Sequence, residues 1–152
     1  MEMNQNNVAV IGVGYANPSR NPAQSLGLDA VEAAKNAIAD AGLEITDIDG
    51  LCCTTLQPYG NAGTIDGVNL VSPAWLGQAL GTNDLKFSHT DHVFVGSSFI
   101  TAVNAVAAGV ADYCLVWRAL TFPGAFVKGE RYGQTSPTHA VGPSQFQYPY
   151  GY

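Results

Sequence analysis

Positive charge is scarce in this chain. Six lysines and arginines against twelve acids leave a net charge of −6, which argues against nucleic acid or an anionic membrane as the main partner. Charge of either sign is sparse, at 12% of residues beside 47% hydrophobic. A small free domain usually carries more, so this body is expected to be well covered by other protein. Met1 to Asn7 is polar and lacks the positive-then-apolar order of a secretory leader. No apolar run reaches membrane-spanning length. Cysteines number only three, Cys52, Cys53 and Cys114, with neither metal nor C-x-x-C spacing. Buried, inert thiols in a reducing, cytoplasmic setting are the expected reading. His89, His92 and His139 lack ligand spacing as well, so no metal site is argued.

What is present alternates. Val8 to Val13 reads as a continuous apolar strand ending at Gly12-Val13-Gly14. Ser25 can cap a helix running to about Ala41, with Leu28, Val31, Ala34, Ile38 and Ala41 on one stripe and Gly42 as its stop. Ile48 to Thr55 is the next strand, and Ser72-Pro73 opens a short helix that Gly81 ends. Lys86 to Ser88 and His92 to Val95 are strand-like, with a break expected at Thr90-Asp91. The order of strands and helices implies an α/β fold: a mainly parallel sheet with helices on both faces.

The densest pattern runs from His92 to Arg118. After the strand-like His92 to Val95, a Gly96-Ser97-Ser98 turn leads into a helix from Phe99 to Ala108 with almost no polar face. Gly109 to Asp112 then turns into a second strand, Tyr113 to Trp117. A helix apolar all round is normally interior. Its amino end would bring free N–H groups and the positive dipole end to a buried point. Beyond Trp117 the alternation stops, and glycine and proline punctuate residues 119 to 152 without usable periodicity. A structureless stretch of that length reads as an excursion whose return strand lies past Tyr152, so the chain is expected to stop inside its fold.

Several motifs carry less than they promise. Gly12-Val13-Gly14 invites a dinucleotide site, but Asn17 stands where the third glycine belongs and Pro18 blocks an immediate helix. No acid follows the second strand to hold a ribose, so the site is rejected. Ser97 and Ser98 would need a base to act as nucleophiles, and nothing shows that His89 or His92 can reach them. The plainer account, one serine capping the helix and the other packing, is preferred. Asp112 reads as a loop or cap carboxylate. Arg118, Lys128 and Arg131 fall within fourteen residues and could form a local anion site, although solvated surface charge is favoured on so small a count.

One resemblance gathers these pieces. His92-Val-Phe-Val-Gly-Ser-Ser-Phe-Ile-Thr-Ala-Val and Ala107-Ala-Gly-Val-Ala-Asp-Tyr-Cys-Leu-Val-Trp-Arg resemble the amino-terminal half of the thiolase superfamily. The opening Val8-Ala-Val-Ile-Gly-Val-Gly fits, as do Ala39-Asp-Ala-Gly-Leu and Asp47-Ile-Asp-Gly-Leu. Within that superfamily the chain is most similar to the lipid-transfer-protein or sterol-carrier-type thiolases. Trp117-Arg-Ala-Leu, Arg131-Tyr-Gly-Gln and Gln145-Phe-Gln-Tyr-Pro-Tyr-Gly resemble the loop region of the steroid side-chain aldolases of that branch.

The resemblance implies a thiolase-like αβαβα sandwich, amino-terminal half only. Residues 1–118 would be an incomplete thiolase-like domain, with helix 97 to 109 between layers, and 119–152 an irregular loop tail. It implies a homodimer, paired through the strand His92 to Val95, and a small OB-fold partner subunit that binds acyl-CoA. Thiolases carry a reactive cysteine where this chain has Gly96, so an acyl-enzyme is doubtful here, and the backbone N–H of Gly96 becomes the candidate oxyanion donor. Ser97 would support it from behind, and Arg118, Lys128 and Arg131 are candidates for the phosphates of coenzyme A. Coenzyme A enters as part of the substrate, with no bound cofactor. Tyr148, Tyr150 and Tyr152 are read as packing or acyl-pocket lining. The implied activity is retro-aldol cleavage of an acyl-CoA in lipid or steroid degradation. A thiolase-type acyltransferase, a non-catalytic thiolase-like subunit and a generic doubly wound binding domain stay open. The 152 residues alone are expected to be inactive.

Overall fold

A computed structural model describes residues 8–17, 25–54, 71–82, 84–91 and 95–119. Helix α1 (Leu26–Asp40) starts where Ser25 accepts the Leu28 N–H at 3.1 Å. Its buried residues are Gly27, Ala30, Ala34 and Ile38. The stripe is therefore rotated from the expected one, and Leu28 faces out at 56% exposure. Small residues at 27, 30 and 34 let the helix sit close to its neighbours, which Leu28 and Val31 would not. A single 3-10 turn (Ile45–Asp47) leads to strand β1 (Gly50–Thr54). Helix α2 (Pro73–Leu80) opens on a Ser72 cap with proline in its first turn. It closes at Gly81, whose φ of 80° is one that a side chain disfavours.

Strand β2 (Phe87–Asp91) passes through Thr90-Asp91 without the expected break. Helix α3 (Val95–Ala107) and strand β3 (Cys114–Trp117) complete the described elements. The three strands are parallel in the order β2-β1-β3, with Gly50 opposite both Phe87 and Cys114. Parallel strands buried on both faces read as continuous apolar runs, and every residue of β1 is buried. Leu51 and Cys53 join Leu115 and Trp117 in a core with Ala30, Ala34, Ile38 and Leu76 of α1 and α2. Leu51 and Leu76 are fully buried, each stabilising the fold by roughly 1.5–3 kcal/mol relative to exposure. The alternate residues of β1 face α3, where Ser98, Ala102 and Ala105 are buried. Helices thus cover both faces, as the alternation predicts.

Two expectations are corrected. Val8 to Val13 is not a strand of the sheet, whose described strands are β2, β1 and β3. The segment lies instead on α1, where Gly12 and Gly14 bring its backbone onto Ala33, Ala37 and Ala41 so closely that a Cβ would collide. Asp40 accepts the Val13 N–H at 2.9 Å, and Asn36 donates to the Tyr15 carbonyl at 2.9 Å. Val10, Ile11 and Val13 face outward. The apolar run marks surface seeking cover, and its glycines set the cover it found.

The second correction concerns α3. It begins at Val95, so the last residue of the expected strand His92 to Val95 is helical, and Gly96, Ser97 and Ser98 lie inside the first turn rather than before it. Neither serine stands at the cap position. His92 to Phe94 fall outside the described residues. Nor is α3 interior on all sides: Phe99 and Ile100 are 43% and 60% exposed. One face packs on the sheet through small side chains, and the opposite apolar face is open. The 152-residue chain alone is therefore expected to self-associate, because an exposed apolar patch favours contact with its like. Size-exclusion chromatography with light scattering should show oligomers that Ile100→Asp shifts toward monomer. Among the described residues no helix is long and apolar enough to cross a membrane.

Candidate active site at the carboxyl edge of the sheet

Both crossovers, β1 to β2 and β2 to β3, return the chain to the same end of the sheet. The carboxyl ends of the strands therefore gather together, at Thr54, Asp91 and Trp117. In open α/β sheets the crevice outside these ends is where ligands bind. Helix α3 runs back over β1 from that edge and delivers its amino end there. The first turn of a helix leaves N–H groups without intrahelical partners and carries the positive end of the dipole. Gly96 is exposed in that turn, and a Cβ added to it would meet nothing within 4 Å. Main chain is thus presented to open space.

Ser98 turns inward. It is fully buried, and its Oγ lies 2.7 Å from Thr54 Oγ1, a hydroxyl itself only 2% exposed. Ser97, one residue earlier, is half-buried. Arg118 is exposed and directly follows β3, at the same edge of the sheet as Gly96. Lys128, Arg131 and the three terminal tyrosines lie outside the described residues. His89 stands mid-strand opposite Cys52, short of the edge.

The opposite edge is fastened by Asp49. Its carboxylate accepts the N–H groups of Asp112 and Tyr113 at 2.8–3.0 Å and pairs with Lys86 Nζ at 3.0 Å. Its carbonyl accepts the N–H groups of Lys86 and Phe87, and its own N–H donates to Tyr113. Burial alone would raise the Asp49 carboxyl, but the two backbone donors and the Lys86 ammonium outweigh it and hold the group below the usual range. Lys86 also bridges to Asp112 at 2.8 Å, and the two carboxylates raise its ammonium in turn. One side chain thus sets the starting level of all three strands.

No family model matches the chain. A 17-hydroxy-3-oxo-4-pregnene-20-carboxyl-CoA lyase of Mycobacterium tuberculosis is 34% identical over 152 aligned positions, covering 94% of this chain and 35% of that protein. A steroid side-chain-cleaving aldolase of Thermomonospora curvata is 33% identical over 128 positions, covering 82% of this chain and 29% of that protein. This chain is related to the steroid side-chain-cleaving aldolases. A solved Ltp2-ChsH2(DUF35) aldolase superposes with a TM-score of 0.56 at 26% identity, covering 93% of this chain and 31% of that one. The chain spans about a third of the length of the curated aldolase and lyase it matches.

In this aldolase relative the cysteines are free thiols. Cys53 faces the α1–α2 core, where burial pushes its thiol up to about 11 against a weak bond to Thr90. The neighbouring Cys114 raises the Cys52 thiol, and burial adds to this, while the same neighbour relation lowers Cys114. The register places Cys114 opposite Gly50, two residues from Cys52 along β1, and the Cys114 sulfur fills the space above the glycine. Cys52 and Cys114 sit within the strands, and Cys53, one residue short of the carboxyl edge, faces the side of the sheet opposite α3. Sequence reasoning missed Thr54 and Asp49. Their signal was a polar residue at each end of a run otherwise apolar.

Proposed function

We propose that the full-length protein carrying this chain cleaves a carbon–carbon bond of a β-hydroxyacyl-CoA by retro-aldol chemistry, in the breakdown of a steroid or lipid side chain. One observation carries the reading. In a chain 34% identical to a CoA lyase, the amino end of α3 offers an exposed glycine, not a sulfur nucleophile, at the carboxyl edge of a parallel sheet. In this mechanism a base takes the proton of the β-hydroxyl and the Cα–Cβ bond breaks. The hydroxyl carbon leaves as an aldehyde or ketone, and the electron pair becomes a thioester enolate that is protonated at carbon. Free coenzyme A is neither consumed nor made. The Gly96 N–H donates to the thioester oxygen as its charge grows, where such a preorganised donor contributes about 3 kcal/mol. The base is assigned to a segment outside these residues.

The same reading makes this chain the amino-terminal part of a thiolase-like sandwich. Arg118, Lys128 and Arg131 would meet the coenzyme A phosphates, and the protein would act as a homodimer beside an OB-fold acyl-CoA-binding subunit. The matched Ltp2-ChsH2(DUF35) aldolase supports a partner subunit, and the open face of α3 offers apolar surface for assembly. Assaying the full-length protein on a β-hydroxyacyl-CoA, with and without the partner subunit, tests the proposal. Carbonyl release without added coenzyme A is the expected result. Strict dependence on free coenzyme A would establish a thiolase instead, and absence of turnover in the complete assembly would establish a non-catalytic subunit.

A further inference from the structure

We infer that Thr54 and Ser98 are a positioning pair that sets where the amino end of α3 stands, and with it the Gly96 N–H. This rests on the function proposed above. The contact between β1 and α3 is otherwise made by small apolar groups, with Ala102 and Ala105 buried on the helix side. Such a surface resists separation but not sliding or rotation, because apolar contact has no preferred direction. The pair of hydroxyls adds direction at one point. Thr54 is the last residue of β1, opposite Asp91, and Ser98 is two residues beyond Gly96. Their oxygens are 2.7 Å apart, the usual O–H···O length, and both side chains are shut from solvent. Burying two hydroxyls where two methyl groups would pack is costly unless each satisfies the other. What the arrangement adds is a fixed height and rotation for the first turn.

The test uses the full-length enzyme with its partner subunit, comparing Thr54→Val, Thr54→Ser and Ser98→Ala. Valine keeps the shape and removes the hydroxyl. Displacing a catalytic donor by about 1 Å costs on the order of a hundredfold. Thr54→Val should therefore lower kcat by about ten- to a hundredfold, with KM changed by less than about twofold. Ser98→Ala should behave alike, and Thr54→Ser should recover most of the loss. A reporter independent of turnover is Gly96→Cys, its thiol titrated by the pH dependence of alkylation. A helix amino end lowers a thiol below its free value of about 8.5. Adding Thr54→Val to Gly96→Cys should move that titration back up. A variant that melts earlier but keeps kcat and the thiol titration overturns the positioning role, as does a serine variant that rescues nothing. If wild type itself releases no carbonyl product while the thiol titration still responds to Thr54→Val, the functional reading fails and the positioning of Gly96 stands.

Discussion

Gly96→Pro is expected to lower the kcat of the full-length enzyme by about 10²–10³-fold, the effect of deleting one oxyanion donor. The substitution is unusual in reaching a main-chain group. Proline removes the N–H and nothing else that the site uses, and the first turn of a helix tolerates it because those N–H groups have no intrahelical partner. Gly96 is the second residue of α3, and a Cβ there would meet nothing within 4 Å, so the ring's one close contact is with the preceding Val95. Gly96→Ala keeps the N–H and should lose far less, within about tenfold. Steady-state kinetics on both variants, with thermal melts to show an intact fold, separate the lost donor from added bulk. Equal losses for alanine and proline would show that the space at Gly96 matters and its N–H does not.

Asp49→Ala is expected to give the largest loss of stability. It would leave the Asp112 and Tyr113 N–H groups without their acceptor and Lys86 without one of its two carboxylates. Breaking a hydrogen-bonded, buried carboxylate of this kind costs about 3 kcal/mol, or roughly 6–12 °C in a domain of this size. The pH dependence has a definite sign. Asp49 is lowered in the folded state, so its contribution is complete above the unfolded value of about 3.9. It is lost as pH falls through that value toward the lower folded one. Urea unfolding between pH 7 and 3 should show wild type losing stability in the acid range, with part of that slope absent from Asp49→Ala. Parallel slopes would mean that other carboxylates carry the acid sensitivity.

Local features of this chain were legible and distant ones were not. Ser25 and Ser72 announce their helices because a cap acts within one turn. The strands around residues 50 and 114 are readable because a strand buried on both faces has no polar alternation to confuse it. Val8 to Val13 shows where reading fails: an apolar run says that a segment wants cover, not which element supplies it. The amino end of α3 was misplaced by one turn because glycine and serine also make turns. At the site, Gly96 was found through resemblance. The Thr54–Ser98 bond joins residues 44 apart in sequence, so it depends on the strand register and the helix position together. Asp49 is hidden for the same reason, since its partners come from two separate stretches of chain, Lys86-Phe87 and Asp112-Tyr113.

The central strand of the sheet is also the first to be made. β1 is complete at Thr54, β2 at Asp91 and β3 only at Trp117. Among the described residues every pairing is parallel and waits for a crossover. At about 5–20 residues per second of synthesis, the roughly 60 residues between β1 and β3 keep both flanks of Gly-Leu-Cys-Cys-Thr from being filled for several seconds. Burial of that short apolar stretch is therefore a late event in the making of the chain.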